Sequence, residues 1–425
     1  MSRDEFTGVP ASACPSIAEL VKEDRVHSDI FRSPQIFEAE LRQIFDRSWV
    51  YLGHDSEIKS SGDYKTTTIG RKPVILVRSE SGEVRAVLNR CRHRGSTVCR
   101  QGTGNSTYFR CPYHGWTYAN TGALVGVPAQ NRYDGDFRKS ELGLIPVPRL
   151  ETYRGLIFGS LDPGVVPLER YLGRAAAYLD RYFLFDGITL SAGSNRHQYA
   201  GNWKFQLDGG PDGYHAMSLH ESFFAIQKMT PERAHLAVSK RDAPGFSADL
   251  GNGHVVLCRR ASDDIVRGFR GRHPEYAQEI ETRHGTERLY DLLSQVNLIV
   301  FPNVYFAFSN VRVINPLAAD ATNIEFFPLW LDGAPDEVNA ERLRQHEEGF
   351  PPGGFITPDD YEVYELIQEA IEADAEPWML LSRGLGREER MDNGEVRAEL
   401  SDELTQRALY AHYAKLMARG SNDGN

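Results

Sequence analysis

Apolar residues recur with a helical period near the beginning of the chain. Ser33 precedes Pro34, and apolar side chains follow at Phe37, Leu41 and Ile44, at spacings of four and three residues. Serine is a favoured N-cap residue, and proline is tolerated in the first turn of a helix. The pattern therefore predicts an amphipathic helix that begins after Ser33 and packs on a neighbouring domain.

A different pattern extends over residues 49–161, where short β-branched and aromatic runs are separated by Gly, Ser, Asn and Pro. This alternation is typical of strands joined by tight turns. Prolines accumulate near the end of the stretch, and helical spacing returns at Leu168–Phe183. We therefore expect an all-β domain at residues 49–161, with a domain boundary near residues 155–167.

The rest of the chain mixes both periods. Apolar runs predict strands at residues 297–308, 311–316 and 323–331. Residues 357–382 and 401–419 instead have the spacing and the end signals of helices. This mixture indicates an α+β domain.

Composition places the chain among ordinary folded proteins. It has 425 residues, of which 41% are hydrophobic and 25% charged, and this length allows two or three domains at roughly 150 residues each. The formal net charge of −11 disfavours nucleic acid and anionic membrane surfaces as partners.

The expected location is the cytoplasm. The sequence has no apolar run near the roughly 18 residues that would span a bilayer, and its first residues lack the layout of a signal peptide. Five cysteines at irregular spacings are too few for a disulfide framework in so long a chain, which favours a reducing compartment.

Two short loops in the predicted β domain carry matching pairs of metal-ligand residues. One loop contains Cys91 and His93, the other contains Cys111 and His114, and a glycine follows each histidine within two residues. A zinc ribbon usually takes paired thiolates from each loop. Two cysteines and two histidines divided in this way match a [2Fe-2S] cluster of the Rieske kind. A Cys2His2 zinc site and a chance grouping are the alternatives, and Cys99 is interpreted as a small buried side chain.

A second metal site is indicated by Asp212, His215 and His220. Two imidazoles and one carboxylate on one side of a ferrous ion form a facial triad that leaves the other side open to oxygen. On a regular helix, residues 215 and 220 would point about 140° apart, so we expect the helix to bend or end between them. Alone, these two histidines would more often be core or surface residues. An electron relay in the same chain needs an acceptor, however, and a mononuclear iron is a suitable one.

The motifs resemble those of the large (α) subunit of the Rieske non-haem iron aromatic-ring-hydroxylating oxygenases. The resemblance runs from the Cys/His loops through Asn202-Trp203-Lys204 to Phe301-Pro302-Asn303. It implies an α+β fold in which an all-β Rieske domain, residues 49–161, is inserted into a helix-grip catalytic domain of curved antiparallel sheet plus helices. Residues 1–48 would be the N-terminal helical part of that catalytic domain, and residues 162–425 its mononuclear iron part.

The resemblance also implies roles for individual residues. The four cluster ligands that it implies are Cys91, His93, Cys111 and His114. Asp212 matches a catalytic acid that, in the family, links His114 of one subunit to His215 of its neighbour. This implies a trimer, either of this chain alone or of three large plus three small subunits.

The mononuclear Fe(II) would be bound by His215, His220 and a downstream aspartate. The resemblance assigns that aspartate to Asp360, with Asp359 as the reserve. The local alternative is a capping box, in which Thr357 is the N-cap and Asp360 occupies the third helical position.

The implied function is a terminal oxygenase that receives electrons from an NADH-dependent reductase, directly or through a ferredoxin. It would use O2 to hydroxylate an aromatic substrate, mainly by cis-dihydroxylation. The alternatives are a Rieske-type monooxygenase or demethylase and, more remotely, an electron carrier, which would need only the stretch from 49 to 161.

The substrate is expected to be an aromatic carboxylate. The spacing from Asn202 to Asp212 is closer to that of the benzoate, terephthalate and salicylate enzymes than to that of the naphthalene type. Arg312, on a predicted strand, is the candidate partner of the carboxylate, with a solvated strand arginine as the alternative. The pair Asp208-Gly209 departs from the Glu-Asn of many relatives.

Overall fold

The computed structural model describes residues 17–183, 187–190, 193–229, 245–373 and 375–418. Cys14 lies outside these ranges. Within the parts of the chain that the structure describes, no helix combines the length and the apolar composition needed to cross a membrane.

The N-terminal segment packs against elements from the other end of the chain. Its elements are α1 (Ile17–Leu20), β1 (Arg25–His27), α2 (Asp29–Arg32), α3 (Pro34–Glu40) and a π-helical turn (Leu41–Phe45). The prediction for α3 is confirmed, because the Ser33 hydroxyl accepts a hydrogen bond from the backbone N–H of Ile36 at 3.3 Å. β1 pairs with residues 378–380, so two segments far apart in the sequence meet in one small sheet.

The next part is built from antiparallel strands, as the sequence predicts. They are β2 (Val50–His54), β3 (Asp63–Ile69), β4 (Lys72–Arg78), β5 (Val84–Leu88), β6 (Thr103–Asn105), β7 (Tyr108–Arg110), β8 (Thr117–Ala119), β9 (Leu124–Gly126), β10 (Arg149–Tyr153) and β11 (Leu156–Ser160). The sheet orders are β5-β4-β3-β6, β7-β8-β9 and β10-β11-β2. Tyr64, Ile75, Phe109 and Trp116 belong to a buried cluster that includes both loop cysteines.

A large antiparallel sheet forms the second half of the molecule. Its strands are β13 (Asn195–Tyr199), β14 (Gly245–Gly251), β15 (His254–Arg259), β16 (Gln295–Val300), β17 (Val304–Ala307), β18 (Asn310–Ala318), β19 (Ala321–Pro328), β22 (Glu389–Arg390) and β23 (Val396–Ala398). In the described residues its order is β13-β19-β18-β17-β16-β15-β14-β23-β22. The short strands β12 (Ile188–Thr189) and β20 (Trp330–Leu331) pair with each other, and β21 (Trp378–Leu380) pairs with β1.

The described residues of this half also form helices, several of which contact the large sheet. They are α4 (Leu168–Leu172), α5 (Ala175–Asp180), α6 (Lys204–Gly209), α7 (Ala216–Leu219), α8 (Glu221–Met229), α9 (Asp263–Arg272), α10 (Pro274–His284), α11 (Thr286–Leu293), α12 (Asp336–Gly349), α13 (Thr357–Ala370) and α14 (Leu404–Met417). The expected helix at 168–183 is interrupted at Gly173, whose positive φ of 49° suits glycine. The expected helix at 357–382 ends at residue 370 and is followed by a 3₁₀ turn.

Buried polar contacts explain the motif Asn202-Trp203-Lys204. The Lys204 Nζ lies 2.6 Å from Oε1 of Glu40, and the Trp203 indole N–H donates to Oε2 of the same carboxylate at 2.8 Å. The Asn202 side-chain amide donates to the backbone oxygens of Phe31 and Ala319. Because an unpaired buried charge is costly, these contacts fix the start of α6 against the N-terminal helices.

Asn303 connects the two halves of the molecule. Its side-chain oxygen accepts a hydrogen bond from the backbone N–H of Tyr51 at 2.9 Å, and its amide nitrogen donates to the backbone oxygen of Tyr51 at 3.1 Å. Tyr51 belongs to β2. This pair of hydrogen bonds therefore joins the loop between β16 and β17 of the large sheet to the edge of the all-β part.

Candidate functional site

The two Cys/His loops have the same backbone geometry. In the first loop, the N–H of Gly95 donates to the backbone oxygen of Cys91 at 2.9 Å, and in the second the N–H of Gly115 donates to that of Cys111 at 3.1 Å. Both glycines have positive φ angles, 76° and 71°. Side chains rarely adopt this conformation, so glycine is the residue that lets each loop fold back under its cysteine.

The loops bring all four candidate cluster ligands together. Cys91 and Cys111 are buried, and the rings of His93 and His114 lie 4.6 Å apart between their centroids. The Nδ1 atoms of both histidines are buried and have no hydrogen-bond partner. Buried polar atoms rarely lack a partner, so these two nitrogens fit the binding of a metal centre between the loops.

Further contacts hold the loops in place. The Tyr118 hydroxyl lies 3.3 Å from the Cys91 sulfur and accepts the backbone N–H of Arg92 at 3.0 Å. The Trp116 ring stacks on His93 with centroids 4.9 Å apart and an interplanar angle of 7°. Cys99 is buried near the loops but lies outside both, as its interpretation as a packing residue predicts.

The second candidate site forms where α6 ends and α13 begins. His215 precedes α7, His220 follows it, and Asp360 lies in the first turn of α13. One carboxylate oxygen of Asp360 lies 3.5 Å from Nε2 of His215 and 3.1 Å from Nε2 of His220. The three potential ligand atoms all lie within 4.8 Å of one another, close enough for a single metal ion.

Two more carboxylates hold the other side of each imidazole. Oδ2 of Asp212 lies 2.9 Å from Nδ1 of His215, and Oδ2 of Asp359 lies 3.3 Å from Nδ1 of His220. A carboxylate at Nδ1 fixes the tautomer and the orientation of a histidine ligand. Asp359 therefore faces away from the point at which the two Nε2 atoms and Asp360 converge.

The charges in this site favour a cation. Burial alone would raise the pKa of Asp360, but its hydrogen bonds with the two histidines outweigh burial and lower that pKa to about 2. Burial lowers the pKa of His215, yet hydrogen bonds with Asp212 and Asp360 raise it to about 10. The carboxylates thus favour the binding of a cation at the Nε2 atoms of His215 and His220.

The backbone agrees with one expectation and corrects another. The helix does end between the two histidines, because α7 stops at Leu219 and His220 has φ −99° and ψ 30°. The capping box at Thr357 is wrong: Ile356 precedes the helix, Thr357 is its first residue, and the Thr357 hydroxyl caps no backbone N–H. That hydroxyl is buried and has no hydrogen-bond partner among the described residues.

A cavity of about 530 Å³ opens from the three converging ligand atoms. Arg312 of β18 lines it and is only 3% exposed, which excludes the alternative of a solvated arginine. Its guanidinium lies over the rings of Tyr305 and Phe326 and donates to Asn310 at 3.4 Å. Within the described residues Arg312 has no carboxylate partner.

Comparison with known proteins accounts for both sites. Residues 48–153 match the Rieske [2Fe-2S] domain, and residues 168–419 match the catalytic domain of the ring-hydroxylating α subunit. The chain is 32% identical to the 2-halobenzoate 1,2-dioxygenase large subunit of Burkholderia cepacia over 88% of this chain and 84% of that protein. It is 34% identical to the toluate 1,2-dioxygenase α subunit of Pseudomonas putida over 83% and 82%. The chain belongs to the ring-hydroxylating α subunits.

Solved structures agree with this assignment. Naphthalene 1,2-dioxygenase with indole bound superposes with a TM-score of 0.84 and 28% identity, covering 94% of each chain. The ring-hydroxylating α subunit described here is accordingly a Rieske non-haem iron oxygenase with a [2Fe-2S] cluster and a mononuclear iron. The family uses O2, aromatic substrates and electron-transfer partners.

Several residues near the iron site of this oxygenase were not predicted from the sequence. The Tyr305 hydroxyl and the Asn297 amide both donate to the backbone oxygen of Gly210, at 3.0 and 2.9 Å. A side-chain carbon at Gly209 would collide with the Tyr364 hydroxyl. This tyrosine therefore fills the space beside Gly209, one of the two positions that depart from the Glu-Asn pair. Of these residues, only Tyr305 could have been indicated by the sequence. It alternates along β17 and pairs with Arg312 on the neighbouring strand.

Proposed function

We propose that this α subunit is a terminal oxygenase that cis-dihydroxylates an aromatic carboxylate. The single observation that supports this substrate is Arg312, a buried guanidinium that lines the cavity beside the iron site without a carboxylate partner in the described residues. Guanidinium groups bind carboxylates through paired hydrogen bonds. Relatives named as 2-halobenzoate, toluate and anthranilate dioxygenases point to the same class of substrate.

The proposed ligands follow from the two sites. Those of the [2Fe-2S] cluster are Cys91, His93, Cys111 and His114, and those of the mononuclear iron are His215, His220 and Asp360. When bound, the cluster supplies single electrons and the iron activates oxygen. Asp212 and Asp359 keep the Nε2 atoms directed at the iron by accepting from Nδ1 of His215 and His220.

The walls of the cavity position the substrate. Arg312 holds the carboxylate, and its own position is fixed by the aromatic rings of Tyr305, Phe326 and Phe350, at 4.7, 5.1 and 5.2 Å from the guanidinium. Rings packed around the charge exclude water, so the electrostatic attraction between guanidinium and carboxylate is stronger there than in solvent. The ring of the substrate would then lie between Arg312 and the three residues that would hold the iron, which line the same cavity.

We further propose that electrons pass between subunits of a trimer, formed by this chain alone or with three small subunits. The exposed Tyr113, adjacent to His114, supports a contact at the cluster histidines, because His93 and His114 are partly exposed whereas the two cysteines are buried. Asp212 would accept a hydrogen bond from the neighbour's cluster histidine while it holds His215. The electron donor would be an NADH-dependent reductase, with or without a ferredoxin.

We also propose that the chain forms a Rieske domain and a catalytic domain and that the protein is cytoplasmic. Packing of β1 on β21 supports assigning residues 1–48 to the catalytic domain with 162–425, and the separate buried cluster around Trp116 supports a Rieske domain at 49–161. None of the four cysteines in the described residues forms a disulfide, which supports a reducing cytoplasm.

The test compares wild type with Arg312→Leu and Arg312→Lys on a panel of aromatic acids and one neutral arene. With purified protein, a surrogate reductase, NADH and O2, we expect Arg312→Leu to raise the KM of the acid roughly 100-fold, because a buried charge partner is lost. Turnover of the neutral arene should stay unchanged, and lysine should restore part of the affinity. Product analysis separates a cis-diol from the phenol or demethylated product of a monooxygenase. An equal loss for acid and arene would contradict the substrate assignment.

A further inference from the structure

A second buried arginine lines the same cavity. Arg342, on α12, is 7% exposed and donates from Nη2 to the backbone oxygen of Phe308 at 2.8 Å. Its Nε has no hydrogen-bond partner, and it forms no ion pair with any residue that the structure describes. The guanidinium also lies over the Phe308 ring, 5.5 Å from its centroid, but neither this ring nor the carbonyl carries a negative charge. A buried cation with only such neutral partners is costly unless an anion binds beside it.

The surroundings of Arg342 increase this positive charge instead of neutralising it. Arg181, also 7% exposed, lies within electrostatic range of Arg342 and donates to the backbone oxygen of Asp291. The acid next to Arg342 on α12, Glu341, is paired with Arg272 at 3.2 Å and His273 at 3.1 Å. The burial of Arg342 lowers its pKa to about 10, which still leaves the guanidinium charged at neutral pH.

The two cavity arginines occupy different positions along one wall. Arg312 lies beside Phe350 and within electrostatic range of His346, at the C-terminal half of α12. Arg342 lies one helical turn, about 6 Å along the axis, before His346. Arg312 is close to Tyr305, which contacts the iron-site loop at Gly210, so Arg342 marks the more distant part of the cavity.

We infer that the cavity binds an aromatic ring with two anionic groups, one on Arg312 and the second on Arg342. The substrate class is therefore an aromatic dicarboxylate instead of a simple benzoate. This inference rests on the proposed function, because it takes Arg312 as the site of the first carboxylate. Because the two guanidiniums are separated along the wall, they suit carboxylates at the meta or para positions of the ring better than carboxylates on adjacent ring carbons. Each guanidinium forms its paired hydrogen bonds with one carboxylate.

The experiment measures kcat/KM for benzoate and for the ortho, meta and para isomers of benzenedicarboxylate. Wild type should prefer the meta or para isomer over benzoate by roughly 100-fold, because a benzoate leaves Arg342 without its anion. Arg342→Met should lose about that factor for the dicarboxylate, mainly through KM, and leave benzoate within about threefold. Arg342→Lys should retain an intermediate preference. Arg267→Met, on the exposed face of α9, is the matched control and should change neither substrate.

The outcomes separate this inference from the proposed function. If wild type hydroxylates benzoate as efficiently as every dicarboxylate, and Arg342→Met alters none of them, the second anion position is wrong and the monocarboxylate proposal stands. If wild type hydroxylates neither benzoate nor any of the dicarboxylates, the proposed function itself fails. Circular dichroism of each variant shows whether it folds. If Arg342→Met is unfolded, the test uses wild type and Arg342→Lys. A preference of wild type for a dicarboxylate over benzoate that is reduced in folded Arg342→Lys supports the second anion position, and the absence of such a preference contradicts it.

Discussion

At the scale of single residues, two adjacent aspartates at the start of α13 contact the iron site from different directions. Asp360 reaches Nε2 of both histidines, whereas Asp359 reaches only Nδ1 of His220. We predict that Asp360→Ala loses the mononuclear iron and all turnover while the visible spectrum of the cluster is unchanged. Asp359→Ala should keep the iron but bind it roughly 10- to 100-fold more weakly, because an orienting carboxylate is lost.

Iron and sulfide assays, with a visible spectrum, measure this difference directly. Asp359→Asn is the matched control, since an amide oxygen can still accept from Nδ1 of His220 and should preserve most of the affinity. An active Asp360→Ala enzyme together with an iron-free Asp359→Ala enzyme would show that the ligand is Asp359.

Asp208 gives the protein a predicted pH dependence. Burial and the negative charge of Asp212 raise the pKa of Asp208 from 3.8 to about 7, despite a hydrogen bond from the Tyr410 hydroxyl. The folded state therefore holds this proton more tightly than the unfolded state, so the free energy of unfolding falls as pH rises from about 4 to about 7. In Asp208→Asn this contribution is absent. Urea denaturation between about pH 5 and pH 8 should show a flatter profile for the variant, and parallel profiles would contradict the assignment.

Tyr118 is expected to tune the cluster. Its hydroxyl donates to the Cys91 sulfur, and such a hydrogen bond stabilises the more negative, reduced state. Tyr118→Phe should lower the reduction potential by about 40 mV, the equivalent of about 1 kcal/mol for one electron. A redox titration followed by the visible spectrum measures the shift. The exposed Tyr108→Phe is the control, and an equal shift in both variants would rule out this role.

At the scale of elements, the sequence predicted what depends on local pattern. The cap at Ser33 and the strands of the β part follow from side-chain type and spacing alone. The end of α7 between His215 and His220 was expected only because both were taken as ligands of one metal. Element ends were less predictable. Residues 297–308 form two strands, since the chain turns between β16 and β17, and the helix at Leu168 stops at Gly173. Both interruptions depend on backbone conformations that hydrophobic periodicity does not report.

The junction of α6 and α13 gives a prediction about an element contact. A Cβ at Gly209 would collide with the Tyr364 hydroxyl, so Gly209→Ala should displace α13, which carries Asp360. The free energy of unfolding should fall by roughly 1 to 3 kcal/mol. The iron content should fall as well. Tyr364→Phe removes the hydroxyl and should restore part of both in the double variant. Thermal denaturation and iron assays measure the recovery. If Gly209→Ala behaves as wild type, α6 and α13 are less tightly coupled than the structure indicates.

At the scale of the whole molecule, the sequence predicted the metal chemistry but only part of the substrate cavity. The Cys/His loops are local, so their spacing reveals them. His215 and His220 were taken as ligands only because the cluster needs an electron acceptor, and Asp360, 140 residues further on, was assigned only from the family resemblance. Arg312 and Arg342 lie 30 residues apart on a strand and a helix, and they share a cavity only because α12 packs against β19 and β20, next to the strand that carries Arg312. No local pattern distinguishes such an arginine from a solvated one, so Arg342 was missed and Arg312 was expected only as one of two alternatives.

Asp212 connects the geometry of one chain to the assembly. Oδ2 holds His215, while Oδ1 accepts the backbone N–H of Tyr214 at 2.7 Å, so the carboxylate is fixed at the edge of the iron site. If the proposed trimer places His114 of a neighbour against this edge, Asp212 provides a short hydrogen-bonded path between the two metal centres. An ordinary acid that only begins a helical turn would contribute no such path.

We therefore predict that Asp212→Asn keeps the trimer, the cluster and the bound iron, yet lowers turnover by about 100-fold or more, because the amide no longer orients both imidazoles. The measurement is a single turnover, in which protein with a reduced cluster is mixed with substrate and O2. The variant's cluster should reoxidise far more slowly than that of wild type, with little product. Tyr214→Phe, exposed beside it, is the control. Reoxidation at the wild-type rate with normal product yield, or a fully active monomer in size-exclusion chromatography, would overturn the route between subunits, since a monomer has no neighbouring His114 for Asp212 to reach.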